Sequence, residues 1–261
     1  MARPRIHDIS LRNQMLDEAA RITATEGVDG LSARRLCSAV NTSTTAVYTL
    51  FGGMDGIRFA LYRRAAESYH ADFSTIEYDP DRPLKYMDEA MFMYRNWALA
   101  NPNLYSILFG GALKLDHSLP ETQGGIPAAD MKFSADLAKP SMDAVRCAIE
   151  LGQLLIPQNK VSTFLISTWA CMHGLVSMEI SAETSSTQNG LVMLSDVNYG
   201  EKLYADAIRS LTSGLIHTYQ LEANGTAPSH SPKVLDDYLE SPASLAPGQA
   251  RKSDKKKQNL A

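Results

Sequence analysis

Residues 31–51 read LSARRLCSAVNTSTTAVYTLF, the pattern of two short helices joined by a tight turn. Ser32 is placed to cap the first helix, and Leu36, Ala39 and Val40 give it an apolar face. Asn41 and Thr42 carry turn chemistry, and Ser43 or Thr44 is expected to cap the helix that follows. That second helix turns Ala46, Val47, Leu50 and Phe51 inward. Ser43, Thr44, Thr45, Tyr48 and Thr49 then form an outer row of hydroxyls. A helix too short to be stable alone, packed on a partner and presenting donors and acceptors, suits a DNA major groove.

The flanks extend this pattern into a three-helix head. An opening helix is expected from about Asp8 to Glu26, burying Leu11, Met15, Leu16, Ala19 and Ile22 and stopping at Gly27. A longer helix from Met54 to Phe73 connects the head to the rest. Up to Arg64 there are nine basic and six acidic side chains, a net +3 in a chain whose total is −4. A basic head on an acidic body suits a nucleic-acid module attached to something else.

Downstream, helical spacing dominates and strand-like alternation is scarce, so the fold class is all-α. Helices are expected at 84–100, 104–108, 128–155 (interrupted or kinked at Pro140), 158–182 and 196–221, with turn-rich loops at 110–127 and 183–190. From Glu222 on, Ser, Pro, Gly and charge prevail up to RKSDKKK, the composition of a disordered, solvated tail. The expected domains are 1–57, a helix-turn-helix head; 58–221, a larger helical body; and 222–261, the tail.

Cys37, Cys147 and Cys171 are scattered without metal-type spacing and read as buried thiols in a reducing cytosol. No apolar run approaches the roughly 20 residues that span a bilayer. The N-terminus lacks the apolar core of a secretion signal. A cytoplasmic protein without membrane contact, metal or cofactor is expected.

The order of an opening helix, Gly27, the 31–40 helix, a hydroxyl-rich helix, and Tyr48 three residues before Phe51 resembles the TetR family of transcriptional regulators. That family continues with a loop, a Lys or Arg, an acidic residue and a Leu-like residue. Here Asp55 and Ile57 are present, and Met54 stands where the cation is expected, so its phosphate contact is not carried over. Trp169, His173 and Gly174, in WACMHGLVSMEI, are similar to a TetR subgroup named for that Trp, His and Gly.

The resemblance implies that Thr42, Ser43, Thr44, Thr45, Tyr48 and Thr49 meet double-stranded operator DNA. Arg34 would touch a base or a phosphate, and Arg3 and Arg5 would reach from a flexible arm. For Thr44 and Thr45 plain capping is the competing role, and for Arg34 a solvated helix charge. A homodimer reading a palindrome is implied, joined through Leu203, Ala207, Ile208, Leu211 and Leu215, each of which could instead be buried within one subunit. Release by a small apolar or amphipathic ligand is implied too, with Met91, Tyr94, Tyr105, Phe109, Trp169, Met172 and His173 as its contacts. The competing roles there are plain core for the Met and aromatic side chains and a satisfied interior histidine for His173.

The function expected is therefore a DNA-binding regulator acting as a repressor, without catalytic residues. Two other classes are open: a helical enzyme using His173, Cys171 or Glu179, and an adaptor whose head is vestigial because Met54 has replaced the cation.

Overall fold

The computed structural model describes residues 5–113, 128–184 and 192–225. Among these residues the regular structure is helical, without strands. The chain divides into two compact units, residues 1–216 and 217–261. All that follows concerns the first.

The head is built as its sequence dictates. Helix α1 (Arg5–Glu26) ends at Gly27, whose φ of 74° suits a glycine. Ser32 caps α2 (Ala33–Ala39) by accepting from the Arg35 amide. Helix α3 (Thr45–Phe51) follows, then α4 (Met54–Phe73). The expected hydroxyl cap of α3 is corrected: Thr44 occupies the cap position with helical φ and ψ, and its side chain makes no capping bond. Met15, Leu16, Ala19, Ile22, Leu36, Val47, Ile57 and Leu61 share one buried core. Met54 packs at its edge, so at the site of the missing cation this chain has an apolar contact. Gly56 lets α4 start so close to α3, because a Cβ there would lie 1.7 Å from the Phe51 carbonyl oxygen.

The body comprises α5 (Pro83–Ala100), α6 (Pro102–Leu108), α7 (Ala128–Glu150), α8 (Val161–Thr184) and α9 (Val197–Ala223). Proline opens both α5 and α6, where a missing N–H costs nothing. Pro140 lies inside α7 and does not interrupt it. The helix ends at Glu150 rather than near 155, with Gly152 turning at φ 68°. Arg5 is the first residue of α1 and thus helical, which corrects its place on a flexible arm. Arg3, most of the 110–127 and 183–190 loops, and the tail beyond residue 225 lie outside the described residues.

A further correction concerns apolar length. The stretch Gln158–Ala182 is long and apolar enough to cross a membrane by length and composition. In this fold Phe164, Thr168, Met172, Val176 and Glu179 form its buried face. Ile166 and Met178 are exposed.

Arg95 on α5 and Glu179 on α8 are both buried, 1% and 3% exposed. The Glu179 carboxylate accepts from Arg95 Nε at 3.1 Å and from a terminal guanidinium nitrogen at 2.7 Å. Arg95 also donates to the Val197 carbonyl at 3.4 Å and reaches the Glu201 carboxylate at 3.7 Å, which draws in α9. Tyr204 of α9 lies under the guanidinium at 5.9 Å and donates to the Met91 carbonyl at 2.8 Å. Gly200 makes the approach possible, since a Cβ there would sit 2.7 Å from a Glu179 oxygen.

Removing one member strands the other charge in a dry site. Glu179→Ala should therefore cost about 3–5 kcal/mol, whereas the double change Arg95→Met with Glu179→Leu should regain most of it. Urea unfolding of the three proteins checks this. Equal losses in the single and double variants would mean that the pair is not the source of the stability.

Candidate nucleic-acid interface and ligand cavity

On the head, Ser43, Thr44, Thr45, Tyr48 and Thr49 are all exposed, and Thr42 is half-buried. Tyr48 is 67% exposed, too much for a core aromatic, whereas Phe51 is half-buried under the Arg12 guanidinium at 5.2 Å. Thr49 donates its hydroxyl proton to the Thr45 carbonyl at 3.0 Å, leaving its methyl and oxygen lone pairs for an outside partner.

The basic surplus of the head is partly spent on its own acids. Arg21 pairs with Glu18 at 2.6 Å, Arg58 with Asp55 at 3.1 Å and Arg64 with Asp17 at 2.5 Å. Arg35 pairs with Glu26 and donates to the Gly30 carbonyl at 3.3 Å, which braces α2 against the end of α1. The Glu26 carboxyl is accordingly held below its usual range. Arg34, one position earlier, is exposed and makes no ion pair among the described residues. It is an uncommitted charge on α2, the helix that precedes the hydroxyl row.

Within the body, α4, α5, α6, α7 and α8 border a half-open cavity of about 500 Å³, with the exposed Ile166 and Trp169 among its lining. Of the residues expected to touch a ligand, Met91, Tyr94, Phe109, Trp169 and Met172 line it. Tyr105 and His173 stand behind the wall. The Tyr105 hydroxyl is 2.7 Å from His173 Nδ1 and 3.1 Å from Ser177 Oγ, and the Tyr94 hydroxyl is 3.2 Å from the same nitrogen. His173 is also stacked between Tyr105 and Trp169, at 5.4 and 5.2 Å. These contacts of Nδ1 and the two stacked rings hold the half-buried His173 against the wall. Tyr62, Tyr69 and Phe73 of α4 also line the cavity, though sequence reasoning missed them. Their helical spacing was visible on a helix read only as a connector.

Each group weighed for chemistry is otherwise engaged. Glu179 is held by Arg95, His173 by two phenols, and burial pushes the Cys171 thiol up, away from its reactive thiolate. Among the proposed interface residues, Ile208 is buried in the core with Tyr204 and Val176, which corrects its assignment to a subunit face. Leu203, Ala207, Leu211 and Leu215 remain half-buried.

Residues 87–190 match a family model described as tetracyclin repressor-like, C-terminal domain; the span includes Trp169, His173 and Gly174. No curated protein sequence matches the chain. Among solved structures, the candidate regulatory protein SCO4313 is similar at 19% identity and a TM-score of 0.52, over 80% of this chain and 98% of that one. PfmR, a TetR family transcriptional regulator from Thermus thermophilus, is similar at 16% identity and a TM-score of 0.51, over 62% and 84%. A protein of unknown function from Rhodococcus sp. RHA1 is similar at 17% identity and a TM-score of 0.50, over 79% and 94%.

Burial holds the His173 imidazole below its ordinary value of 6.5. The folded state thus disfavours the charged form, and the unfolded chain binds a proton more readily. The stability from a neutral His173 is present above about pH 6.5 and is lost as pH falls toward the lowered native value. The midpoint difference between the parent and His173→Asn should shrink between about pH 7.5 and pH 5. A difference that stays flat would mean that His173 does not titrate in this window.

Proposed function

We propose that this chain, a TetR-family protein by its C-terminal domain match and its all-helical fold, is a repressor that grips a palindromic operator as a homodimer in the cytoplasm and lets go when a small ligand enters the body. The observation that carries the DNA half is the exposed hydroxyl row of residues 43–49, with Arg34 unpaired on the preceding helix. Hydroxyls bond to base edges or phosphates, Ala46 and the threonine methyls suit a thymine methyl, and Arg34 suits a guanine or a phosphate. Arg3 and Arg5 would add phosphate contacts next to this surface. With four head arginines already paired, affinity rests on few cations, and salt should weaken it less steeply than the charge count suggests.

Dimerisation follows from specificity. One head covers too little DNA to select a site, whereas two heads on a two-fold axis present reading helices roughly 34–36 Å apart. The exposed Ile166 and Met178 on α8, with the half-buried Leu203, Ala207, Leu211 and Leu215 on α9, supply apolar surface suited to such an interface.

Helix α6 supports the coupling. It packs on α1 and α4, and Ile107 is buried in the head core. On its other side Leu108 lines the cavity and Tyr105 holds His173. A ligand pressing on Leu108 and Phe109 therefore bears on the element that seats the head. If it fits one head spacing better than another, it shifts the population by that difference in affinity.

Selection of bound duplexes from a random pool tests the reading, with Arg34→Ala/Thr44→Ala alongside. One palindrome should be enriched by the parent protein and lost by the variant, with a salt slope lower by about one per phosphate contact removed. Salt-sensitive binding without an enriched sequence would end the repressor reading.

A further inference from the structure

The lining of the cavity limits the charge of whatever fills it. No Asp, Glu, Lys, Arg or His lines it among the described residues. The buried charges of the body, Arg95 and Glu179, satisfy each other. An ion entering this space would shed its water and meet no counter-charge, whereas a neutral molecule would lose little.

The polar groups on the wall are six hydroxyls and the Trp169 indole N–H, and at least two of the hydroxyls are already engaged. Thr168 donates to the Phe164 carbonyl at 2.8 Å, and the Tyr94 hydroxyl faces His173. Ser162 is exposed, at the start of α8. Ser141 is half-buried and Trp169 exposed, whereas Tyr69 lies deeper. It is 8% exposed, and Trp97, Phe109 and Tyr94 stand edge-on to its ring at 5.1, 5.3 and 6.2 Å. Trp97 is itself fixed by donating its Nε1 proton to Ser68 Oγ at 3.1 Å. Within this rigid aromatic box the Tyr69 hydroxyl has no hydrogen-bond partner among the described residues. The side chain is buried as a whole while its oxygen is not closed off, so the hydroxyl is reachable by an outside partner. Here the residue lines a cavity large enough for a ligand. Burial also holds the Tyr69 phenol protonated well above its ordinary value, so it remains a neutral donor and acceptor.

We propose that the cavity takes an uncharged, largely hydrocarbon or aromatic ligand carrying one hydrogen-bonding group, and that the Tyr69 hydroxyl receives that group. This rests on reading the body as a ligand-binding domain. Tyr69 thereby sets specificity: the apolar wall admits many shapes, and the phenol separates a molecule with a hydroxyl or carbonyl from one without.

The chain has two tryptophans, Trp169 on the cavity wall and Trp97 against Tyr69, so their fluorescence reports filling directly. The full-length protein, free of DNA, is titrated with 1-decanol, methyl decanoate, 1-chlorodecane, decanoate and decylammonium at neutral pH. The two oxygen-bearing neutral probes should bind at least about tenfold tighter than either ion. Tyr69→Phe should weaken 1-decanol roughly fivefold and leave 1-chlorodecane unchanged, with the melting temperature of the variant confirming that the fold is intact. Tighter binding of either ion, no binding by any neutral probe, or an unchanged ratio of 1-decanol to 1-chlorodecane in the variant would overturn the assignment. Release of the selected operator by 1-decanol is scored separately. Binding as stated without release would end the regulatory reading and leave this one standing; the reverse result would do the opposite.

Discussion

The body of this protein depends on one buried ion pair. Arg95 and Glu179 join α5 to α8, and the remaining donors of the guanidinium reach the start of α9 at Val197 and Glu201. Apolar packing fixes helices loosely in rotation and register, because many neighbouring arrangements bury similar area. A bidentate pair that must be fully satisfied leaves far fewer arrangements open. Tyr204 under the guanidinium and the bare backbone at Gly200 belong to the same constraint. With α5 and α8 so locked, Met91, Tyr94, Trp169 and Met172 stand around an open space instead of collapsing into it.

The head uses charge in the opposite way. Its ion pairs are exposed and individually weak, so each holds a guanidinium to its own carboxylate while fixing little of the fold. Arg35 is an exception in role, since its bond to the Gly30 carbonyl ties α2 to the turn after α1. The same side-chain chemistry therefore braces the motif at Arg35 and is left free at Arg34, the adjacent residue.

How much was legible in the sequence depends on whether the signal is local. The boundaries of α4 and the cap of α2 follow from Gly53, Ser32 and the helical spacing between them, and they are where those residues place them. The hydroxyl row was equally readable, because periodicity alone decides which residues Val47 leaves outside. What escaped was long-range. Arg95 adjoins a core stripe and looks like a solvated charge until Glu179, far along the chain, is brought beside it. Ile208 reads as surface on an amphipathic helix, and it became core because α9 packs that face on its own subunit. The α4 wall of the cavity was missed for the same reason: Tyr62, Tyr69 and Phe73 are ordinary helix residues until the other helices close around them.

Helix α6 spans seven residues, about two turns, yet it is seated in the head on one side and in the cavity wall on the other. Under the proposed function, any coupling carried by this helix would run in both directions with equal strength, because linked binding equilibria are reciprocal. Whatever factor a ligand takes from operator affinity, the operator must take from ligand affinity. A protein held on DNA would therefore be a poorer receptor than the same protein in solution, by the same factor. The ligand level at which a cell would respond then depends on how many operators it carries, and a constant measured on free protein describes only the limit of none.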